Sequence, residues 1–335
     1  MAEPDDTQSF EKSRTQHAEK MVVAAVAYVQ NPQISAREAA ARIVALVKDG
    51  LKVASSRKTS SRSQGDTPGL ESFLWSFWGV LMQLATREQP ELQDRIIDVL
   101  SELKKHGNTG CEGMRVWGRA MDWKELPIFG ADARETMNGP DAYLPGQTKI
   151  LPRDTPLAYQ ILSGGKPEDP NDVYSQAYAA TRSAWLNTVR YLMKVWASNV
   201  YDFEIYGIWF MREGLEDFDL SDPETATDVS QLPPALALEA ASVCVQVAGK
   251  KMYRSTLIAG PNGDPDWDPA RGQPGKGGKR WTGVDGYHPD RWKLWKKVFQ
   301  EYASAAGKEG IWPNAVEAAK TAIAAMNRIE SAGDH

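Results

Sequence analysis

The sequence predicts an all-α fold, a single irregular multi-helix domain with a long central aromatic helix pair. Apolar residues recur at three- and four-residue spacing through most of the chain. No segment of strand length alternates apolar and polar residues between turn signals, and no fixed-period repeat occurs. Two aromatic stretches, 172–198 and 201–218, follow one another almost without a gap. At 335 residues, with 42% apolar and 25% charged, the chain has the balance of a soluble globular protein able to bury a large core. Its 12 tryptophans predict wide helix–helix contacts whose indole N–H groups need acceptors.

The elements follow in order. Residues 8–30 place Met21, Val22, Ala25, Val26 and Val29 on one face, and Asn31-Pro32 stops the run. Ser35 to Glu38 spells a capping box, after which Ala39, Ile43, Val47 and Leu51 recur at helical spacing. The Ser-rich, basic stretch 54–69 reads as a mobile linker; Thr59, Ser61 and Ser63 could accept phosphate, but a plain solvated loop is the preferred reading. It divides the N-terminal helices, 1–69, from a helical domain over 70–335 with loop insertions near 138–171 and 255–287. Helix 70–88 is apolar nearly all round, which suits a central position, since about 18 apolar residues are needed to span a membrane and its apolar run is shorter. Helix 90–105 buries Leu92, Ile96, Leu100 and Leu103. In 172–198, Tyr174, Tyr178, Trp185, Val189, Leu192 and Trp196 share a face. Helices at 201–218, 235–253, 289–304 and 313–329 complete the set.

Composition narrows the partners. A net charge of −5 argues against nucleic acid, because phosphate contacts require an excess of Lys and Arg. Cys111 and Cys244 stand outside any metal-ligand spacing and read as reduced thiols. The N-terminus has neither the basic nor the apolar region of a secretory signal. The expectation is a cytoplasmic protein, with a nuclear location also compatible, and no membrane partner.

Four stretches carry a resemblance. "VWGRAMDWKELPIFGADARETMN" (116–138) sets Trp123 before Leu126-Pro127 and Arg134-Glu135. "AWLNTVRYL" (184–192) holds Trp185 and Asn187, and "YDFEIYGIWFMREGLE" (201–216) ends in Gly214-Leu215-Glu216. "GGKRWTGVDGYHPDRWKLWKKVF" (277–299) runs a Gly-Gly-x-x-Trp-x-Gly stretch into Arg-Trp-x-x-Trp. Over about residues 70–300 the chain resembles a large fungal protein family catalogued only as a domain of unknown function. His288-Pro289-Asp290 departs from the Ser or Thr cap expected before the last helix. The resemblance implies a mainly helical, cytoplasmic or nuclear fungal protein and supplies no catalytic residues.

The glycine- and tryptophan-rich stretch 275–303 invites three readings. A phosphate loop fails, because Gly278 stands where Gly272 and Gly277 would require a lysine and no strand precedes. An anion site is favoured by local charge: 271–297 carries +6 and the rest of the chain −11. Lys279, Arg280 and Arg291 are its candidate residues. The preferred reading is a core plug, since Trp292, Trp295, Phe299 and Tyr302 fall at spacings of three and four. Arg291 is then expected to fork onto one carboxylate among Asp202, Glu204, Glu213 and Glu216.

Other chemistry has little support. The four histidines lack ligand spacing, and the carboxylates at 264, 266 and 268 lack the glycine and terminal glutamate of a calcium loop. Neither a cofactor nor a metal is expected. Asp202, Glu204, Arg212 and Glu213, like Asp122, Arg134 and Glu135, suit structural pairing better than acid–base work. Two function classes remain. The leading one is a non-enzymatic interaction or regulatory protein with an unidentified protein partner. The alternative is a small-molecule-binding protein or enzyme of fungal specialised metabolism, its pocket for a small apolar ligand walled by Trp185, Tyr206 and Trp209, with Tyr191 and Trp196.

Overall fold

The computed structural model describes residues 5–55, 65–217 and 232–332, with side chains over 17–51, 65–217 and 232–332. Thr59, Ser61 and Ser63, and most of the acidic loop 219–234, lie outside the described residues. The fold is all-α, with eleven helices and a single two-stranded sheet among the described residues. The chain divides into two compact units, 1–138 and 139–335.

In the first unit, α1 (Asp5–Gln30) and α2 (Ala36–Ser55) pack with α3 (Leu70–Gln83) and α4 (Gln93–Lys105). Met21, Val22, Ala25, Val26 and Val29 of α1 are buried, as are Ala39, Ile43, Val47 and Leu51 of α2. The Ser35 hydroxyl accepts from Glu38 N at 3.1 Å, while the Glu38 carboxylate pairs with Arg42. The Arg95 side chain donates to the carbonyls of Val29, Asn31 and Ile34, satisfying oxygens at the end of α1 and in the turn after it.

The predicted helix 70–88 is interrupted. After Gln83 it widens into one π turn, Leu84–Glu88, closed by Gln89 N to Leu84 O at 2.7 Å. The Thr86 hydroxyl donates to Met82 O, and the Gln93 amide donates to Ala85 O. Two further elements have no sequence signal. A hairpin pairs β1 (Arg115–Val116) with β2 (Arg119–Ala120), and its turn residues Trp117 (φ 50°) and Gly118 (φ 70°) are both left-handed. The eight-residue α5 (Phe129–Thr136) starts after Ile128, which has φ 70° and supplies no side-chain cap. Nothing in its sequence marks a start.

The second unit is built around α9 (Pro234–Arg254), which packs against α7 (Val173–Ala197), α8 (Glu204–Leu215) and α11 (Pro313–Ser331). Its buried face is mostly small: Ala235, Ala237, Ala240, Ala241, Ser242, Cys244, Ala248 and Gly249. Small side chains let three neighbouring backbones approach. The aromatic pair meets through rings as well, Trp185 of α7 packing edge-on to Phe210 of α8 at 6.1 Å. One residue leaves the predicted face: Tyr174, in the first turn of α7, is 46% exposed. The short α6 (Pro156–Leu162), capped by Thr155, is the helix the proline-rich stretch accommodates, and α10 (Pro289–Ser304) packs on α11 and α8.

Candidate binding site

The stretch 275–303 is pinned by one buried ion pair. Arg291, in the first turn of α10, and Glu216, directly after α8, both have fully buried side chains. The guanidinium forks onto the carboxylate, Nε to Oε1 at 2.7 Å and Nη2 to Oε2 at 2.9 Å. Its Nη1 donates to the carbonyls of Gly275 (2.9 Å) and Gly286 (2.8 Å). Glu216 Oε1 also accepts from the Trp295 indole at 2.6 Å, and Oε2 accepts from Gly278 N at 2.8 Å. Each carboxylate oxygen thus takes two donors. A saturated pair of this kind compensates the desolvation of both charges and leaves no lone pair for a substrate.

The glycines serve backbone contact. A Cβ on Gly286 would collide with Leu257 O, and one on Gly275 with Asp285 O. Their absence lets the segments 257–259 and 285–287 meet in an isolated antiparallel bridge, with Ala259 N donating to Asp285 O (2.7 Å) and Tyr287 N to Leu257 O (3.0 Å). Asp285, 1% exposed, accepts from Asn262 N at 3.0 Å and closes the 255–287 loop on itself. The helix that follows is capped by His288, whose Nδ1 accepts from Asp290 N at 3.2 Å. A histidine does the work expected of Ser or Thr.

The structure places the three candidate cations apart. Arg291 is buried in the clamp, Arg280 pairs bidentately with Glu301 (3.1 and 2.8 Å), and Lys279 is exposed. The candidate pocket walls are packed among themselves. Tyr206 stacks between Phe203 (5.1 Å) and Trp209 (5.0 Å), and the Trp209 indole donates to Pro274 O at 2.8 Å. Trp185 is 4% exposed against Phe210, with its indole N–H unpartnered. Trp292 and Trp295 are 3% and 1% exposed.

The space lies elsewhere in the second unit. A cleft of about 510 Å³, partly open to solvent, is bounded by Met252 to Ser255 at the end of α9, by Thr256 and Ile258, and by Val284 to Pro289 apart from the buried turn at 285–286, with Trp292 and Trp295 behind. Sequence periodicity missed it because a helix end, a loop and a helix start build it together. No carboxylate lines it. Two carboxyls of the second unit with raised values do not line it: burial, then the neighbouring Asp217, pushes Glu213 up to about 7 against the pull of Arg212, and burial raises Asp217 as well. Both thiols are buried, and burial pushes Cys111 up to about 11.

Among the described residues, no group of three or more His, Cys, Asp or Glu side chains could hold a metal ion, and no helix is long and apolar enough to cross a membrane. No curated protein and no solved structure matches the chain. A family model does, over residues 78–299, a span that runs from α3 into α10 and contains the clamp and every residue bounding the cleft. The chain belongs to that family, described as a protein of unknown function (DUF3632).

Proposed function

We propose that this chain is a non-catalytic binding protein whose recognition site is the cleft between the end of α9 and the start of α10. One observation carries the reading: a concave space of about 510 Å³ walled by Tyr253, Tyr287, Trp292 and Trp295. That volume falls inside the ~300–1,000 Å³ common for small-molecule sites, which are mainly apolar with a few polar groups. A catalytic reading has weaker support. The most buried acid–base pair, Glu216 and Arg291, is consumed by structure. The raised Glu213 and Asp217 carboxyls do not line the cleft.

The test uses a neutral aromatic probe, 1-naphthylacetamide, observed by saturation-transfer NMR. Wild type should show transfer to the naphthyl protons. Thr256→Trp, which fills the cleft from an exposed position, should abolish it while circular dichroism and the denaturation midpoint stay unchanged. Absence of transfer to wild type, or equal transfer to the filled variant, overturns the reading.

A further inference from the structure

We infer that the cleft takes an uncharged aromatic ring system, in preference to its saturated analogue and to charged compounds built on the same ring. The inference rests on the binding reading above and adds the chemical class of the ligand.

The walls present ring carbon, because their polar atoms are engaged elsewhere. The Tyr287 hydroxyl donates to Glu204 O at 2.9 Å, the Trp292 indole to Glu330 at 2.9 Å and the Trp295 indole to Glu216 at 2.6 Å. Neighbouring rings are strongly tilted: Tyr253 and Trp292 by 56°, Trp292 and Trp295 by 65°, Tyr287 and Trp295 by 87°. An inserted aromatic ring can therefore set its edge against one wall and its face against another, the arrangement its quadrupole favours. Met252 adds a thioether to the lining, and thioethers are also attracted to ring edges. A saturated ring of the same skeleton offers apolar area alone. A merely hydrophobic cleft would take it at least as well, since that gain follows area, so the two forms separate the readings.

The charges around the cleft are already matched. Arg254, the ionic side chain of the lining, is engaged within the protein. The Glu204 carboxylate accepts from the lining hydroxyl of Ser255 and lies within electrostatic reach of Lys251. Glu216, Glu330 and Asp290 pair with Arg291, Lys296 and Lys293 respectively. His288 accepts from Asp290 N through Nδ1, which an imidazolium cannot do. The C-terminus of α9 and the N-terminus of α10 both reach the cleft, and their dipole fields are of opposite sign. An anion or a cation would therefore exchange water for ring carbon and meet no unmatched counter-charge, a cost that a neutral ring does not bear.

The test is calorimetric titration of the full chain near neutral pH with 1-naphthylacetamide, its decahydro analogue, 1-naphthylacetate and 2-(1-naphthyl)ethylamine. The amide should bind at least about fivefold tighter than its decahydro analogue, and at least about fivefold tighter than the acid or the amine. Tyr253→Leu removes one ring from a half-buried wall position and keeps apolar bulk. In protein shown to be folded by circular dichroism, it should narrow the gap between the amide and its decahydro analogue about twofold. If the decahydro compound or either ion binds as well as the amide, or if Tyr253→Leu leaves the gap intact, the ligand class is wrong while the binding reading stands. If none of these compounds binds, both fall together.

Discussion

At Arg291 a lysine cannot replace the guanidinium. Four directional N–H groups reach Glu216 and two glycine carbonyls from inside a fully buried site. An ammonium supplies one point charge and three donors that cannot fork, leaving buried oxygens unpaired. Arg291→Lys should cost about 3–5 kcal/mol in chemical denaturation, the range for a broken buried pair. Lys293→Ala, at an exposed pair, should shift stability by less than about 0.5 kcal/mol. Equal effects would contradict the clamp. The sequence made the fork legible and left four carboxylates as partners; choosing Glu216 needed the geometry, since nothing in local spacing joins residues 75 positions apart. Asp132 gives a second test at this scale. Burial, then Glu135, pushes its carboxyl up to about 6, and Oδ2 has no partner. A raised folded value means that protonation favours the native state, so this group's contribution is fully present below about pH 4 and lost as pH rises through 6. Asp132→Asn should therefore be more stable than wild type at pH 8, by about 1–3 kcal/mol, and the gap should close by pH 4. A gap that is constant with pH would place the effect in packing instead of charge.

Among the elements, helix identity was legible wherever a face repeats, and the misses share a cause. The π turn after α3, the two-residue hairpin and α5 are each set by a few backbone torsions, of which Trp117, Gly118 and Ile128 at positive φ are the visible sign. Hydrophobic period carries no such information. Contact distance between helices is likewise invisible in sequence, and it yields a contrast at two glycines. A Cβ on Gly214 of α8 would lie 2.5 Å from the backbone oxygen of Ala237, which α9 cannot move alone. A Cβ on Gly249 of α9 would lie 2.7 Å from Ile329 Cδ1, the far end of a flexible side chain. Alanine improves helix propensity at either site by about 1 kcal/mol. Overpacking costs about 1–3 kcal/mol where the neighbour is rigid. Gly214→Ala should therefore lower the denaturation midpoint, while Gly249→Ala should be near neutral. The reverse order would show that α8 and α9 slide more easily than a side chain turns.

For the whole chain, the family match at 78–299 coincides with neither compact unit: it begins inside α3 and stops inside α10. The matched span omits α11, yet α11 packs on α9 and α10, and its Glu330 accepts from the Trp292 indole. The clamp and the cleft draw every residue they use from 139–335. The second unit has its own core, with α9 in contact with α7, α8 and α11. A fragment of residues 139–335 should then fold alone, since a domain with its own core does not require its neighbour. The expected result is a single cooperative urea transition reported together by far-ultraviolet circular dichroism and tryptophan fluorescence. The fragment should also bind 1-naphthylacetamide as the full chain does. A broad, non-coincident transition would mean that residues 1–138 complete the core of the second unit. A cooperative fragment that no longer binds would mean that they complete the site.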